Sequence, residues 1–159
     1  MSTNTGMRSL LIPLGEKHFL VPSACVAEVT SYREPERVAD MQPAWLLGTI
    51  NWRNQRVPVL AIENVLSLPI FAKNLKRRII IFYGLELNQV LPFYAIVATD
   101  IPRALSVAED HLGQLHDEKP TGVVFSVEML SENVTVWLPD VSYLESLFRK
   151  SLGFLGLKG

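Results

Sequence analysis

The segment from Gly48 to Ile62 constrains the fold of this chain most strongly, because it places a turn signal between two strand patterns. Apolar residues alternate up to Trp52, the polar pair Arg53-Asn54 interrupts them, and Val57 resumes the pattern. Asn54 suits a turn since its short polar side chain tolerates the left-handed backbone region. We therefore predict a β-hairpin with Arg53 projecting from its tip.

Pro58 lies in the second strand of this hairpin. Proline has no backbone N–H to donate to a neighbouring strand, so within sheets it is confined to edges and bulges. The sequence therefore predicts that this strand runs along a sheet edge or carries a bulge. An edge offers unpaired backbone groups to which another chain can bind.

Length and charge narrow the class of protein. A chain of 159 residues suits one compact domain. Its net charge of −1 gives no general attraction to phosphate backbones, which argues against nucleic acid as a binding partner.

The cysteine content and the N-terminal residues bear on the cellular compartment. The one cysteine, Cys25, cannot form an internal disulfide, and the first residues lack the basic and apolar regions of a secretory signal. No apolar run approaches the roughly 18 residues that span a bilayer, so we expect a cytoplasmic protein without direct membrane insertion.

Short strand patterns lie on both sides of a charged linker. Leu10–Leu14 and His18–Val21 flank a Gly-Glu-Lys turn and open the first lobe, which we expect over residues 8–70. The β-branched run Ile79–Tyr83 indicates a strand buried on both faces and opens a second lobe over residues 77–141. We predict an all-β fold in which each lobe is a small barrel.

Two patterns mark the ends of the lobes. Val57–Glu63 echoes Val134–Asp140, each strand meeting an acidic residue that starts a helical turn. From residue 142 onward, apolar residues recur at helical spacing with charged residues between them. We predict an amphipathic helix over residues 142–153 that packs on a barrel and ends near Gly153. The alternative is a helix that binds a membrane surface or a partner.

The sequence has no pattern that indicates catalysis, a metal or a cofactor. A nucleophilic enzyme would need Cys25 or a serine beside a base, and no Gly-x-Ser-x-Gly elbow is present. The five-residue step from His111 to His116 does not place both side chains on one helical face. We expect no catalytic residue, no metal site and no cofactor, and we keep a small enzyme using Cys25 or the histidines as an alternative.

A basic cluster, Lys73, Lys76, Arg77 and Arg78, lies between the two lobes. We interpret it as a solvated linker. The alternative is a β-barrel that binds nucleic acid through residues 73–78, and such binding would fall steeply with salt.

The hairpin segment also carries a family resemblance. Gly48-Thr-Ile-Asn-Trp-Arg-Asn-Gln-Arg-Val-Pro-Val-Leu-Ala-Ile62 resembles the Gly-x-x-Asn-x-Arg-Gly-x-x-x-Pro-Val-x-Asp-Leu signature of CheW-like domains. Val26–Val29 is similar to the early Val-x-Glu-Val strand of that family, and Ala95–Ile101 to its later Gly-Leu-Val-Val-Asp-x-Val segment. Four positions depart from the pattern: Asn54 and Ala95 replace glycines, and Ala61 and Thr99 replace aspartates.

The resemblance implies a single CheW-like domain over residues 1–159, built of two five-stranded SH3-like barrels. It implies a non-catalytic adaptor that couples methyl-accepting chemotaxis receptors to the regulatory domain of a CheA-type histidine kinase, recruited to membrane-associated receptor arrays. The Trp45–Gly48 lead and the Trp52-Arg53 pair are most similar to the variant adaptors of type IV pilus (twitching) signalling. The departures leave open an adaptor that has lost its kinase contact.

The hairpin and the resemblance together indicate a partner-binding surface formed by a β-edge and an apolar groove. Arg53 is the first anchor, either through a directed hydrogen bond to a partner or by holding the hairpin in shape. Trp45 and Trp52 are expected to pack in the core. The expected partner-binding residues are Val26, Glu28, Val29, Ile50, Arg53, Asn54, Val57, Pro58 and Val59.

Overall fold

The protein is built mainly of short β-strands. The computed structural model describes residues 6–71, 73–87 and 89–149. Within them the strands are β1 (Met7–Leu14), β2 (Lys17–Pro22), β3 (Val26–Ser31), β4 (Leu46–Trp52), β5 (Gln55–Leu60), β6 (Arg78–Tyr83), β7 (Phe93–Ala98), β8 (Arg103–Val107), β9 (Leu112–His116), β10 (Val123–Met129) and β11 (Val134–Pro139). The α-helices are α1 (Ile62–Val65) and α2 (Val141–Arg149). In this part of the chain no helix has the length and apolar character to cross a bilayer.

The strands form two sheets that each combine antiparallel pairs with a parallel pair. The six-stranded sheet has the order β8-β1-β2-β11-β10-β9, and the five-stranded sheet has the order β3-β6-β7-β5-β4. The predicted all-β architecture with a C-terminal helix is confirmed, although one sheet has six strands rather than five. Helix α2 begins one residue before the predicted start, and residues 150–153 of the predicted helix lie outside the described residues.

The six-stranded sheet takes its strands from two distant parts of the chain. β1 and β2 pair with β8 and β11, whereas residues 26–98 form the five-stranded sheet. The sheets therefore do not follow the predicted division into residues 8–70 and 77–141. Strands close in sequence usually pair, but here Phe19 of β2 lies beside Trp137 of β11, which no local pattern indicates. We call the five-stranded sheet lobe one and the six-stranded sheet lobe two; that residues 1–159 form one domain stays a prediction.

The two lobes repeat one connectivity. In lobe one β6 and β7 form a hairpin, β7 runs parallel to β5, and β5 pairs with β4. In lobe two the hairpin β1–β2, the parallel pair β2–β11 and the pair β11–β10 follow the same order. The Ala61 N–H donates to the Trp45 carbonyl at 2.7 Å, and the Asp140 N–H donates to the Gly122 carbonyl at 2.8 Å. The sequence similarity between Val57–Glu63 and Val134–Asp140 therefore reflects a structural repeat. In that repeat Asp140 corresponds to Ala61 rather than to Glu63.

An apolar core lies between the two lobes and α2. Strand β6 is buried on both faces, as its β-branched run predicted: Ile80 and Phe82 face the shared core, while Ile79 and Ile81 face the interior of lobe one. The buried members of the shared core are Ile12, Leu14, Phe19, Val21, Leu46, Leu60, Ile62, Leu66, Ile80, Phe82, Leu91, Tyr94, Ile96, Ala98, Val123, Trp137, Leu144 and Phe148. Because both sheets contribute to it, one apolar cluster holds the lobes together.

Pro58 does not lie on a sheet edge, contrary to the prediction. β5 runs between β7 and β4, and the irregularity in the β4–β5 pair falls between Leu46 and Gly48. Thr49 stands opposite Pro58, but its N–H and C=O bond to the backbone of Glu36 on the other side, each at 2.8 Å. The missing N–H of Pro58 therefore deprives Thr49 of no hydrogen bond.

Gly48 permits a close contact with the segment that covers β4. Its φ is +145°, in the region that favours glycine. A Cβ atom at this position would lie 2.1 Å from the carbonyl oxygen of Glu36. Glu36 forms the paired hydrogen bonds with Thr49 described above, so the contact at Gly48 fixes the covering segment along the outer side of β4.

We expect Gly48→Ala to lower the free energy of unfolding by about 2–4 kcal/mol. The new Cβ would clash with the backbone carbonyl of Glu36, and alanine would have to adopt a φ that is strained for it. Gly113→Ala is the matched control, since its new Cβ meets only the flexible ends of Leu130 and Glu128. Urea unfolding of both variants measures the difference. An equal loss in the two variants would show that the contact with Glu36 does not constrain this position.

Candidate functional site

The β4–β5 turn presents two polar residues at the tip of the hairpin. Trp52 pairs with Gln55, which leaves Arg53 and Asn54 as a two-residue loop. Both have positive φ, 49° and 62°, as a type I′ turn requires. The left-handed conformation predicted for Asn54 is confirmed, and Arg53 shares it. The turn matches the right-handed twist of its strands and directs the Arg53 side chain out of the sheet.

Arg53 contacts the outer strand of lobe one through an ion pair. Its Nη2 donates to Oε1 of Glu28 on β3 at 2.8 Å, and its guanidinium lies 4.5 Å from the ring centroid of Trp52. The side chains of Arg53 and Glu28 are 66% and 35% exposed. Trp52 itself is buried and meets Phe93 edge-on at 4.8 Å. The tip therefore presents an oriented but solvent-accessible guanidinium supported by an aromatic ring.

Strand β3 carries the early predicted residues. It pairs with β6 on one side and is the outermost strand of lobe one, so its other side has no strand neighbour in the described part of the chain. Val29 is exposed, whereas Val26 is half-buried against the shared core. The Glu28–Arg53 pair joins β3 to the hairpin tip, while Val26 and Val29, opposite Phe82 and Ile80, project from the other face of this outermost strand.

The other four predicted contact residues are buried. Ile50, Val57 and Val59 pack with Ile79, Ile81 and Ala95, and Pro58 is also buried. The expectation that they line a partner-facing surface is therefore corrected. An alternating strand pattern shows which residues share a face but not which face meets solvent, and here the apolar face of the hairpin fills the lobe. Trp45, like Trp52, packs in a core as predicted.

A pocket of about 130 Å³ at the junction of the lobes is a feature that the sequence did not reveal. Exposed Tyr83 and Leu85 form part of its wall, and half-buried Cys25 lies in its lining. The lining residues are Phe19, Leu20, Val21, Pro22, Cys25, Phe82, Tyr83, Leu85, Tyr94, Leu138, Pro139, Val141 and Leu144. They come from several strands and α2, so no local pattern could indicate them. Burial raises the pKa of the Cys25 thiol, which opposes the thiolate form that a nucleophile needs.

Glu145 fastens the loop that carries Leu85. This residue of α2 is 1% exposed. Its Oε2 accepts the Leu85 N–H at 2.9 Å, and its Oε1 accepts the N–H groups of Glu86 and Leu87 at 2.8 and 3.0 Å. A buried carboxylate needs such donors, and three backbone groups supply them. The wall of the junction pocket is therefore held by a side chain of the helix.

We expect Glu145→Ala to lower the free energy of unfolding by about 3 kcal/mol, because three loop N–H groups lose their acceptor. Glu145→Gln should cost less, since its remaining carbonyl oxygen keeps the two bonds of Oε1 while its amide opposes the Leu85 N–H. Thermal and urea unfolding measure the order, with exposed Ser146→Ala as the control on the same helix. If both Glu145 variants are as stable as the control, the carboxylate does not hold the loop.

The basic linker uses two of its charged side chains within the protein. The Arg77 guanidinium lies 3.7 Å from the ring centroid of Tyr32, and its Nε donates to the Asn74 carbonyl. Arg78 donates through Nη1 to the carbonyls of Leu75 and Arg77. These contacts orient the two guanidinium groups locally, so the structure adds no support to the nucleic-acid alternative for residues 73–78.

His18 of β2 couples stability to pH. Burial lowers its pKa below the ordinary value, Arg103 lowers it further, and its buried Nδ1 has no hydrogen-bond partner among the described residues. The folded state thus favours neutral His18, so this contribution to stability is present above the unfolded pKa of about 6.5 and is lost as the pH falls.

We expect His18→Gln to reduce the loss of stability between about pH 7 and pH 5. Unfolding curves at each pH measure it, and parallel losses in parent and variant would contradict it.

The described residues were also examined for clusters of metal-ligating side chains. Across residues 6–71, 73–87 and 89–149 there is no group of three or more His, Cys, Asp or Glu side chains that could hold a metal ion. The candidate functional features are the Arg53–Glu28 tip, the side of β3 without a strand neighbour among the described residues, and the apolar junction pocket.

Comparisons with known proteins agree with the resemblance predicted from the hairpin. The model of the CheW-like domain family matches residues 8–145, most of the chain. Among solved structures, the chain is similar to the crystal structure of the scaffolding protein TtCheW from Thermoanaerobacter tengcongensis, with a TM-score of 0.69 and 15% identity, covering 85% of this chain and 89% of that one. At this identity the likeness shows the fold. A search of curated proteins finds no significant match.

Proposed function

Because the chain belongs to the CheW-like domain family, we propose that it is a non-catalytic adaptor that couples methyl-accepting chemotaxis receptors to a CheA-type histidine kinase. Its activity is binding, and it needs no cofactor. It works in the cytoplasm at membrane-associated receptor arrays, in chemotaxis or in twitching motility driven by type IV pili.

The observation that carries this proposal is the oriented ion pair between Arg53 and Glu28 beside the unpaired side of β3. An exposed ion pair contributes only about 0–1 kcal/mol to stability. Its role is better explained by recognition, since charged groups at an interface give specificity and orientation. We assign the kinase contact to Val26, Glu28, Val29, Arg53 and Asn54.

The physical mode of this contact is strand addition combined with anchoring. The side of β3 that has no strand neighbour within the described ranges offers backbone N–H and C=O groups to an extended segment of the partner. Exposed Val29 supplies apolar area, and Arg53 supplies hydrogen-bond donors at the end of the strand. A standard interface buries roughly 1,200–2,000 Å², and a few anchors carry most of its affinity.

The junction pocket is the binding site that we assign to the second partner, the receptor. Its lining is largely apolar, and Tyr83 and Leu85 extend its wall onto the surface. The pocket and the Arg53 tip use different residues. The two partners can therefore bind the same molecule at once, as coupling requires.

We expect Arg53→Ala to weaken binding of the kinase regulatory domain by about tenfold, because the partner loses a directed cation. Arg56→Ala is the matched control: it removes an exposed arginine from the same hairpin, where its Nη2 donates to Oγ1 of Thr49 within the β4–β5 pair. Calorimetric titration with the purified domain measures both variants. Receptor fragments should bind the parent and both variants equally.

Arg53→Ala binding as tightly as the parent, with unchanged melting, would remove Arg53 from the site. If the parent itself binds the receptor but not the kinase, the chain is an adaptor that keeps only its receptor contact. Co-purification of the tagged chain from its own cells gives a wider test, because recovery of neither a kinase nor a receptor would contradict the proposed function.

A further inference from the structure

The loop between α1 and β6 combines exposed aliphatic side chains with a local excess of positive charge. Ile70 is 90% exposed and Leu75 is 100% exposed; apart from Met41, no other large apolar side chain among the described residues is as exposed. Residues 64–85 contain four basic residues and no Asp or Glu. The basic residues are Lys73, Lys76, Arg77 and Arg78.

Leu75 lies at the tip of an ordered turn. Oδ1 of Asn74 accepts the Lys76 N–H at 2.7 Å, and the Asn74 carbonyl accepts the Arg77 N–H at 3.5 Å. Nδ2 of Asn74 donates to the Thr99 carbonyl at 3.1 Å, which ties the turn to the end of β7. These bonds hold Leu75 with its whole side chain in water, so it gains free energy from any apolar medium that it enters.

Ile70 is presented in a similar way by a neighbour that is anchored. Phe71 packs against the shared core, and its N–H donates to Oε2 of Glu63 at 3.4 Å. Phe71 and Gly15 line both the cleft that includes Ile70 and the cleft that includes Asn74. Ile70 and the turn that carries Leu75 therefore border one continuous surface.

The charges of this loop are available to a binding partner. Lys73 and Lys76 are exposed, and neither Nζ atom forms an ion pair or a hydrogen bond with a described residue. Arg77 and Arg78 are half-buried in the local contacts described above, but they keep their positive charge next to the lysines. Clustered lysines and arginines of this kind are attracted to anionic lipid headgroups.

We propose that this loop binds the surface of an anionic lipid bilayer. We define the membrane loop as Ile70, Lys73, Leu75 and Lys76. Ile70 and Leu75 enter the headgroup layer, and the two lysines contact lipid phosphates. The contact is interfacial and spans nothing, in keeping with the finding that no helix in the described ranges is able to cross a bilayer.

The mixture of aliphatic tips and cations favours lipid over the other anionic partners. Nucleic acid is bound through cations and through stacking on aromatic rings, whereas the exposed apolar residues of this loop are aliphatic. A protein partner would need a shaped pocket for each protruding side chain. A bilayer accepts isolated aliphatic side chains without a matching shape, and its anionic headgroups complement the charge of residues 73–78.

Flotation of the purified chain with lipid vesicles tests the proposal. The vesicles are phosphatidylcholine alone, or phosphatidylcholine with about one-third phosphatidylglycerol. We expect the parent to float with the anionic vesicles only, and less so as the salt concentration rises.

Two double variants separate the apolar and the charged contributions. I70S with L75S keeps every charge, and K73Q with K76Q keeps both aliphatic side chains. Each should lower the partition coefficient on anionic vesicles at least about tenfold, because stable binding needs both contributions. The matched control is L115S with K119Q, which removes an exposed leucine and an exposed lysine from lobe two and should bind like the parent.

All four substituted side chains are exposed, and circular dichroism checks that each variant is folded. If the serine variant misfolds, I70A with L75A replaces it, with the same expected direction. The salt dependence and the lipid dependence of the parent need no variant.

A parent that does not float with anionic vesicles would overturn the proposal. So would an I70S L75S variant that binds as well as the parent, because the loop would then act through charge alone. Tighter binding to duplex DNA or to polyglutamate than to the vesicles would assign the loop to nucleic acid or to an acidic protein instead. The assay contains neither kinase nor receptor, so its outcome is separate from that of the proposed function.

Discussion

The core shared between the two lobes is the constraint on which the rest of the structure depends. Side chains from both sheets meet in it, and α2 adds Leu144 and Phe148. Strand β6 contributes side chains both to this core and to the interior of lobe one. Because protein interiors are closely packed, a shift of lobe two would therefore disturb the packing inside lobe one. The tip at Arg53 and the wall of the junction pocket are both built on strands anchored in this way. The protein therefore presents its binding surfaces from a rigid support.

Two departures from the family signature, Asn54 and Ala61, have physical effects that the structure shows. The signature has glycine where this chain has Asn54, and the φ of 62° shows that asparagine keeps the conformation that glycine would permit. Ala61 stands in place of an aspartate and precedes α1 without a side-chain cap, consistent with a helix of one turn. In lobe two Asp140 stands at the corresponding position and caps α2, its Oδ1 accepting the Tyr143 N–H at 3.1 Å. What the signature preserves at this hairpin is backbone geometry more than particular side chains.

The parts of the fold that were predictable depend on local patterns, and the rest depend on distant pairing. The Arg53-Asn54 turn, the doubly buried β6 strand and the helix after Asp140 follow from neighbouring residues. The assignment of β1 and β2 to lobe two did not, because it depends on the pairing of Phe19 with Trp137. The same limit explains the site: Glu28 and Arg53 were both predicted, but their direct contact and the burial of Ile50 and Val57 required the tertiary structure.

The origin of lobe two in distant segments also governs the order in which the protein assembles on the ribosome. Residues 26–98 supply every strand of lobe one, so that lobe can form while synthesis continues. The β1–β2 hairpin must wait for β11, which begins at Val134, a delay on the order of ten seconds at ordinary translation rates. During that interval the side of β2 that pairs with β11 stays unpaired, an open strand edge of the kind that favours aggregation of a nascent chain. Pairing of strands so far apart in the chain closes a long loop, which slows the folding of lobe two.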